Sequence, residues 1–102
     1  MKDNVIELFN KNLRKEFGEE IKEIILYGSR ARGDNKEDSD YDFIVLCKSK
    51  TKEIKEYARK VRNELLINNF AVASVVVLTA GEYEKRKYEP YLMNIKREGM
   101  LV

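Results

Sequence analysis

The chain has 102 residues, of which 43% are apolar and 37% charged, and a net charge of +2. This is enough chain for one modest core, and so small a net charge implies no strong field for nucleic acid or membrane. There is no histidine, which excludes His-based zinc sites, Ser-His-Asp and Cys-His catalysis and histidine general bases, and leaves carboxylates, hydroxyls, Lys and Arg. No run approaches the ~18 apolar residues of a membrane span, and no signal peptide is visible. The single cysteine, Cys47, cannot form an internal disulfide and reads as a buried small hydrophobe. A cytoplasmic location is the default expectation.

In chain order, the spacing predicts a first helix from Asn4 to about Phe17, with Val5, Ile6, Phe9, Leu13 and Phe17 on one face. Asn4 and Glu7 read as its capping box, and Gly18 as its stop. Ile21 to Tyr27 is β-prone and ends on Gly28-Ser29. Arg30 and Arg32 follow on a short helical turn, either to meet a substrate or as a solvated basic loop. Gly33 to Asp38 reads as loop, with Asp34 and Asp38 as surface turn residues. Asp40 to Cys47 reads as a second strand, apolar on both faces beyond Asp42, as a central strand should be. A second long helix is expected from Thr51, as N-cap, to about Asn68, its apolar stripe formed by Ile54, Tyr57, Ala58, Val61, Leu65 and Leu66. Phe70 to Leu78 reads as a third strand, and strand–helix–strand order predicts parallel pairing with the second. Thr79 to Glu82 fits a capping box, and Pro90 opens a final helix from Tyr91 to Glu98, closed by Gly99. Tyr83, Tyr88 and Tyr91 are open between core, rim and partner-facing roles.

One stretch concentrates the chemistry. An apolar run stops at Gly28-Ser29, a loop rich in Gly, Arg and Asp follows, and Asp40 and Asp42 stand at the entrance of the next apolar run. Residues i and i+2 of a strand share a face, roughly 6.6 Å apart. Two such carboxylates repel one another unless a cation lies between them. Mg²⁺ fits, because it is held by one or two carboxylates plus substrate phosphates, and two ions about 3.5–4 Å apart suit in-line displacement at phosphorus. Gly28 would let backbone approach a phosphate closely, and Ser29 offers a hydroxyl and an amide. The bland reading of Asp-Ser-Asp is an Asx turn or a cap before a strand.

The order Gly28-Ser29-Arg30-Ala31-Arg32-Gly33, then Asp38-Ser39-Asp40-Tyr41-Asp42 before an apolar strand, resembles the signature of the DNA polymerase β-type nucleotidyltransferase superfamily. The short chain resembles the minimal nucleotidyltransferases, which often pair with HEPN-domain proteins as toxin–antitoxin systems. Tyr91 to Leu101 resembles the C-terminal helix and close of that family. The resemblance covers most of the chain. It implies an α/β fold, a small mixed sheet flanked by helices, as one domain over residues 1–102. It also implies nucleotide binding by Gly28, Ser29, Arg30 and Arg32, with Gly28 and Ser29 on the β- and γ-phosphates. Asp40 and Asp42 would be the catalytic residues and the ligands of two Mg²⁺ ions. A hydroxyl would attack the α-phosphorus of a nucleoside triphosphate, ATP by family analogy.

The family normally carries a third carboxylate on the strand after the long helix. Ser74 stands at that position, and Phe70 to Leu78 contains no acid. Two readings follow. One is an enzyme that transfers AMP to a hydroxyl of a partner protein, the HEPN-type toxin by analogy. The other is a nucleotidyltransferase-like antitoxin that acts by contact, with little or no transfer. Homo- and hetero-oligomers are both compatible with either reading, and no specific nucleic acid and no membrane is expected as a partner.

Overall fold

The computed structural model describes residues 3–102. The elements are α1 (Asn4–Phe17), a 3₁₀ turn (Gly18–Glu20), β1 (Ile21–Tyr27), α2 (Ser29–Arg32), β2 (Tyr41–Cys47), α3 (Thr51–Asn69), β3 (Ala73–Thr79), α4 (Ala80–Arg86), α5 (Pro90–Glu98) and β4 (Met100–Leu101). The sheet order is β3-β2-β1-β4. β1 runs antiparallel to β2 and to β4, and β2 runs parallel to β3. The expected α/β fold, a small mixed sheet flanked by helices, is the fold observed.

Strand alternation sorts the apolar residues into two cores. Ile24, Leu26, Phe43, Val45 and Cys47 face α1 and α3, where they meet Phe9, Leu13, Ile54, Ala58 and Val61. Phe9 stacks on Phe43 with ring centroids 4.0 Å apart. On the other face Ile25, Ile44, Leu46 and Leu78 pack against Leu92 and Ile95 of α5. β2 is therefore buried on both faces, as its sequence predicts, and Cys47 is fully buried. Among the described residues no helix is long and apolar enough to cross a membrane.

Several local expectations shift. The cap of α1 is Asp3 rather than Asn4: its Oδ1 accepts from the Val5 and Ile6 amides at 2.9 and 3.3 Å, and its Oδ2 from the Tyr41 hydroxyl at 2.9 Å. One carboxylate thus caps the helix and ties it to β2, which an asparagine one residue later does not do. Thr51 is already helical, and Lys50 at the cap position makes no side-chain bond. The capping acceptor is remote: Glu20 Oε1 takes the Ser49 and Lys50 amides.

Phe70 is not strand. It closes α3 in the left-handed region, φ 53°, with its N–H on the Leu65 carbonyl, and it is 90% exposed. β3 therefore begins at Ala73, and β2 begins at Tyr41 rather than Asp40. The Thr79–Glu82 capping box forms as expected. Pro90 is itself the first helical residue of α5.

β4 was not expected from the pattern, because two residues carry no period. The turn into it needs Gly99: a Cβ there would press on the Ile95 carbonyl oxygen and on Ile25 Cγ2. The chain then adds to the edge of β1 through Ile25–Leu101 and Leu26–Met100 pairs.

The amides of Lys50 and Ser49 hold the Glu20 carboxyl below its usual pKa. A carboxylate whose folded pKa is depressed adds stability that is complete above its unfolded pKa of about 4.3 and is lost as pH falls through the folded value. Glu20→Gln is expected to lower Tm at pH 7, with the gap from the parent closing below about pH 4. Thermal melts at both pH values check this, and an equal gap at both would contradict it.

Candidate active site

The site forms where β1 ends and β2 begins. Antiparallel register sets Tyr27 opposite Asp42, and parallel register sets Asp42 beside Ser74. By alternation all three stand on the face of Ile25, Ile44 and Val76, the face that carries α5. The result is a row, Tyr27–Asp42–Ser74, across three adjacent strands. Asp40, exposed, lies two residues before Asp42 and just outside the strand.

Asp42 is half-buried, and its carboxyl pKa is raised, first by burial and then by the negative charge of Asp40, with Arg32 opposing. The two carboxylates thus feel one another's charge. Among the described residues no group of three or more His, Cys, Asp or Glu side chains is placed to hold a metal ion. The donor set from the chain is two carboxylates, with the Ser74 hydroxyl in the neighbouring register position.

Gly28 connects β1 to α2 at φ 78° and ψ −159°, a conformation that L side chains rarely adopt. It is needed for a second reason. A Cβ at position 28 would overlap Asp42 Oδ2. The backbone of the Gly-Ser turn is thus pressed against the carboxylate. The Gly28 carbonyl accepts from the Ala31 and Arg32 amides, both at 3.1 Å, and the Ser29 carbonyl from Gly33 and Asp34 at 2.9 and 3.2 Å. The Ser29 and Arg30 amides begin the helical turn and have no acceptor within it.

The two arginines do different work. The Arg30 guanidinium lies 3.9 Å over the Tyr41 ring, while Nε donates to the Ser39 carbonyl at 3.0 Å and Nη2 to the Glu37 carbonyl at 3.1 Å. It clamps the loop that delivers Asp40. Arg32 bonds Asp34 and Glu98, both at 3.1 Å, and is also close enough to Asp42 to lower its pKa. Asp34 is therefore an ion-pair partner, beyond the turn role expected of it.

Sequence reasoning missed the Tyr27–Tyr91 pair. Their hydroxyls are 2.7 Å apart and the rings meet edge to face. The Tyr27 hydroxyl pKa is strongly raised by burial, the Tyr91 hydrogen bond and nearby charge, Asp42 included. α5 thereby reaches the rim of the site. Antiparallel pairing of β1 with β2, counted back from Gly28, would have placed Tyr27 opposite Asp42.

Gly28→Ala is expected to cost about 1–3 kcal/mol from the positive-φ extended backbone alone. The overlap with Asp42 adds to this, so Gly28→Ala should cost less in an Asp42→Ala background than in the parent, measured by denaturant melts. Because its folded pKa is raised, ionised Asp42 opposes folding as pH rises through that value. Asp42→Asn is expected to raise Tm of the metal-free protein at pH 7; a lower Tm would contradict this account.

A nucleotidyltransferase domain model matches residues 6–97. A candidate protein adenylyltransferase of Methanocaldococcus jannaschii is 39% identical over 49 residues, 48% of this chain and 33% of that protein, so the match spans about a third of that relative's length. Another from the same organism is 27% identical over 100 residues, 98% of this chain and 96% of that protein. Among solved structures, a toxin–antitoxin with AMP-PNP has a TM-score of 0.63 at 16% identity, covering 97% of this chain and 72% of that one. A mutant of the MntA–HpeT toxin–antitoxin, with two aspartates changed to glutamate, matches with the same score and coverage at 19% identity. These likenesses establish a shared fold, and the family match extends over nearly the whole sequence: the chain belongs to the nucleotidyltransferase domain family.

Proposed function

We propose that the chain transfers AMP from ATP to a hydroxyl of a partner protein, with Mg²⁺ held by Asp40 and Asp42. The observation that carries this reading is the turn Gly28-Ser29 pressed against the Asp42 carboxylate, with Asp40 beside it. The two relatives named as candidate protein adenylyltransferases and the AMP-PNP in a toxin–antitoxin neighbour support the choice of nucleotide and acceptor class. The partner this reading assigns is a HEPN-domain protein of a toxin–antitoxin pair.

The donor set fits Mg²⁺. Hard oxygens repelling one another favour a hard cation, and with only two carboxylates the phosphates have to complete its shell, which is the usual habit of Mg²⁺. When bound, Mg²⁺ supplies charge neutralisation on the triphosphate and a template for in-line displacement. The chain's own residues do the positioning. On this reading Ser29 and the free amides of the Gly-Ser turn bind the β- and γ-phosphates. Arg30 holds the Asp40 loop in place, and Arg32 adds positive charge beside Asp42. The acceptor oxygen bonds to the α-phosphorus as the bond to the β-phosphate oxygen breaks. Pyrophosphate leaves, and the hydroxyl proton passes to solvent. Catalysis of this kind is positioning and charge stabilisation.

Ser74 favours a second reading. It occupies the register position beside Asp42, where the resembled family normally has a third carboxylate. A hydroxyl is a weaker base and metal ligand, and each ~1.4 kcal/mol lost from transition-state stabilisation is tenfold in rate. On that reading the chain neutralises its partner by contact alone.

The test uses α-³²P-labelled ATP, Mg²⁺ and the candidate HEPN-domain partner. Label is expected on the partner, reduced roughly 10³-fold in Asp40→Ala/Asp42→Ala, since several kcal/mol of charge stabilisation are removed. Label that persists in the double variant overturns the assignment of the two aspartates. No label, with a stable complex still formed, selects the contact-only reading.

A further inference from the structure

β3 is an edge strand, and its outer side is open over one short window. The N–H and C=O of a strand residue point to the same side, and alternate residues point oppositely. Arg62 Nε donates to the Ala73 carbonyl at 2.8 Å, and the Thr79 amide donates to Glu82 at 3.0 Å. Residues 73 and 79 therefore turn their backbone groups away from β2, and so must Val75 and Val77 between them. The Cys47 thiol on the Leu78 carbonyl agrees, since it approaches from the β2 side. Side chains close the two ends of the edge. The N–H and C=O groups of Val75 and Val77 point outward between them, Val75 half-buried and Val77 4% exposed.

A groove of about 200 Å³ lies along that window, lined by Lys55, Ala58, Arg59, Arg62, Val75 and Val77. Lys55, Arg59 and Arg62 fall on one stripe of α3 at i, i+4 and i+7. None of the three joins an ion pair among the described residues. Lys55 lies close enough to Glu82 to help lower its pKa.

We propose that this edge docks an extended acidic segment of a partner protein as a fifth strand, antiparallel or parallel to β3. The outward groups of Val75 give the ladder its start, and those of Val77 join it as Lys55 and Arg59 turn out of the groove to the partner's carboxylates. Side chains of the added strand that point toward α3 enter the groove and carry carboxylates to meet Lys55 and Arg59. Those between them stand on the opposite face, the face of Ser74 and Asp42. Two strand spacings, about 10 Å, separate the added strand from β2. This placement deepens the transfer reading, because it brings the partner's chain alongside the site, but the docking itself does not depend on transfer. A second copy of this chain is the wrong occupant. Two basic edges repel, which is how edge strands commonly avoid pairing with themselves. An acidic strand turns the same charges into attraction, and main-chain pairing with alternate side-chain pockets is an established mode of peptide capture.

The probe is a labelled ten-residue peptide of alternating Glu and Val, added to the intact chain. Binding is expected with amide shift changes centred on Val75 and Val77 by NMR. Lys55→Glu/Arg59→Glu, which lies outside the nucleotide site, should weaken it at least tenfold while leaving any Mg-ATP thermal shift unchanged. A peptide N-methylated at every second amide should bind at least tenfold more weakly to the unmodified chain, which needs no variant to fold. Absence of binding at millimolar peptide, equal binding of the N-methylated peptide, or shift changes confined to other surfaces would overturn the proposal. So would tighter binding of an oligonucleotide at the same groove. Peptide capture without label transfer to a natural acceptor would leave the docking edge standing and remove the transfer reading.

Discussion

The Asp42 carboxylate occupies space that the Cβ of any other residue at position 28 would claim. This contact joins the two halves of the site, because it locks the Gly-Ser turn after β1 to the carboxylate strand β2. The register that permits it is antiparallel, with Tyr27 opposite Asp42. A slip of one residue would turn Asp42 into the α1/α3 core and bring Phe43 out. Phe43 is fully buried and stacked on Phe9, so the cost of burying a carboxylate and exposing a phenyl ring pins the register. Core packing on one face thus sets the position of the chemistry on the other.

The site is held by unlike forces on its two sides. Apolar packing anchors β2 from Phe43 onward. Before Tyr41 the chain is irregular, and a single arginine substitutes for packing. Arg30 uses its flat face on Tyr41 and its edge on the Ser39 and Glu37 carbonyls. A lysine could not do both, since it lacks the planar fork. Tyr41 in turn donates to Asp3, the cap of α1. Thus the helix cap, the ring and the guanidinium form one chain of contacts ending at the residue before Asp40.

Much of this was legible in the sequence. Two-sided apolarity marked β2 as central, and strand–helix–strand order gave its parallel partner. The parts that were not legible share a cause: they depend on residues far apart in the chain. Glu20 caps α3 from the end of the 3₁₀ turn, Tyr91 reaches Tyr27 from α5, and β4 exists because Gly99 allows a close turn onto Ile25. Phe70 looked like strand by composition. Its aromatic side chain gave no sign that the backbone would close a helix in the left-handed region. Arg30 and Arg32 were indistinguishable as letters, yet one clamps a loop and the other bridges Asp34 and Glu98 beside Asp42.

Ser74 shows where local chemistry and topology meet. Parallel pairing sets its Cα beside that of Asp42, so an acid there would add a third negative charge to a pair that already raises one pKa. A serine lowers that electrostatic load on the folded protein before any ligand binds. Under the proposed transfer an acid there would also supply a metal-organising oxygen, so stability and transfer would make opposite demands on this position. It also leaves the front of β3 uncharged and low, next to an edge whose rear is basic. A partner strand laid along that edge would then approach Asp42 over the smallest side chain in the row. Under the two proposals together, the residue that would most weaken the chain as a self-sufficient catalyst is also the one that would leave its site most open to a second protein.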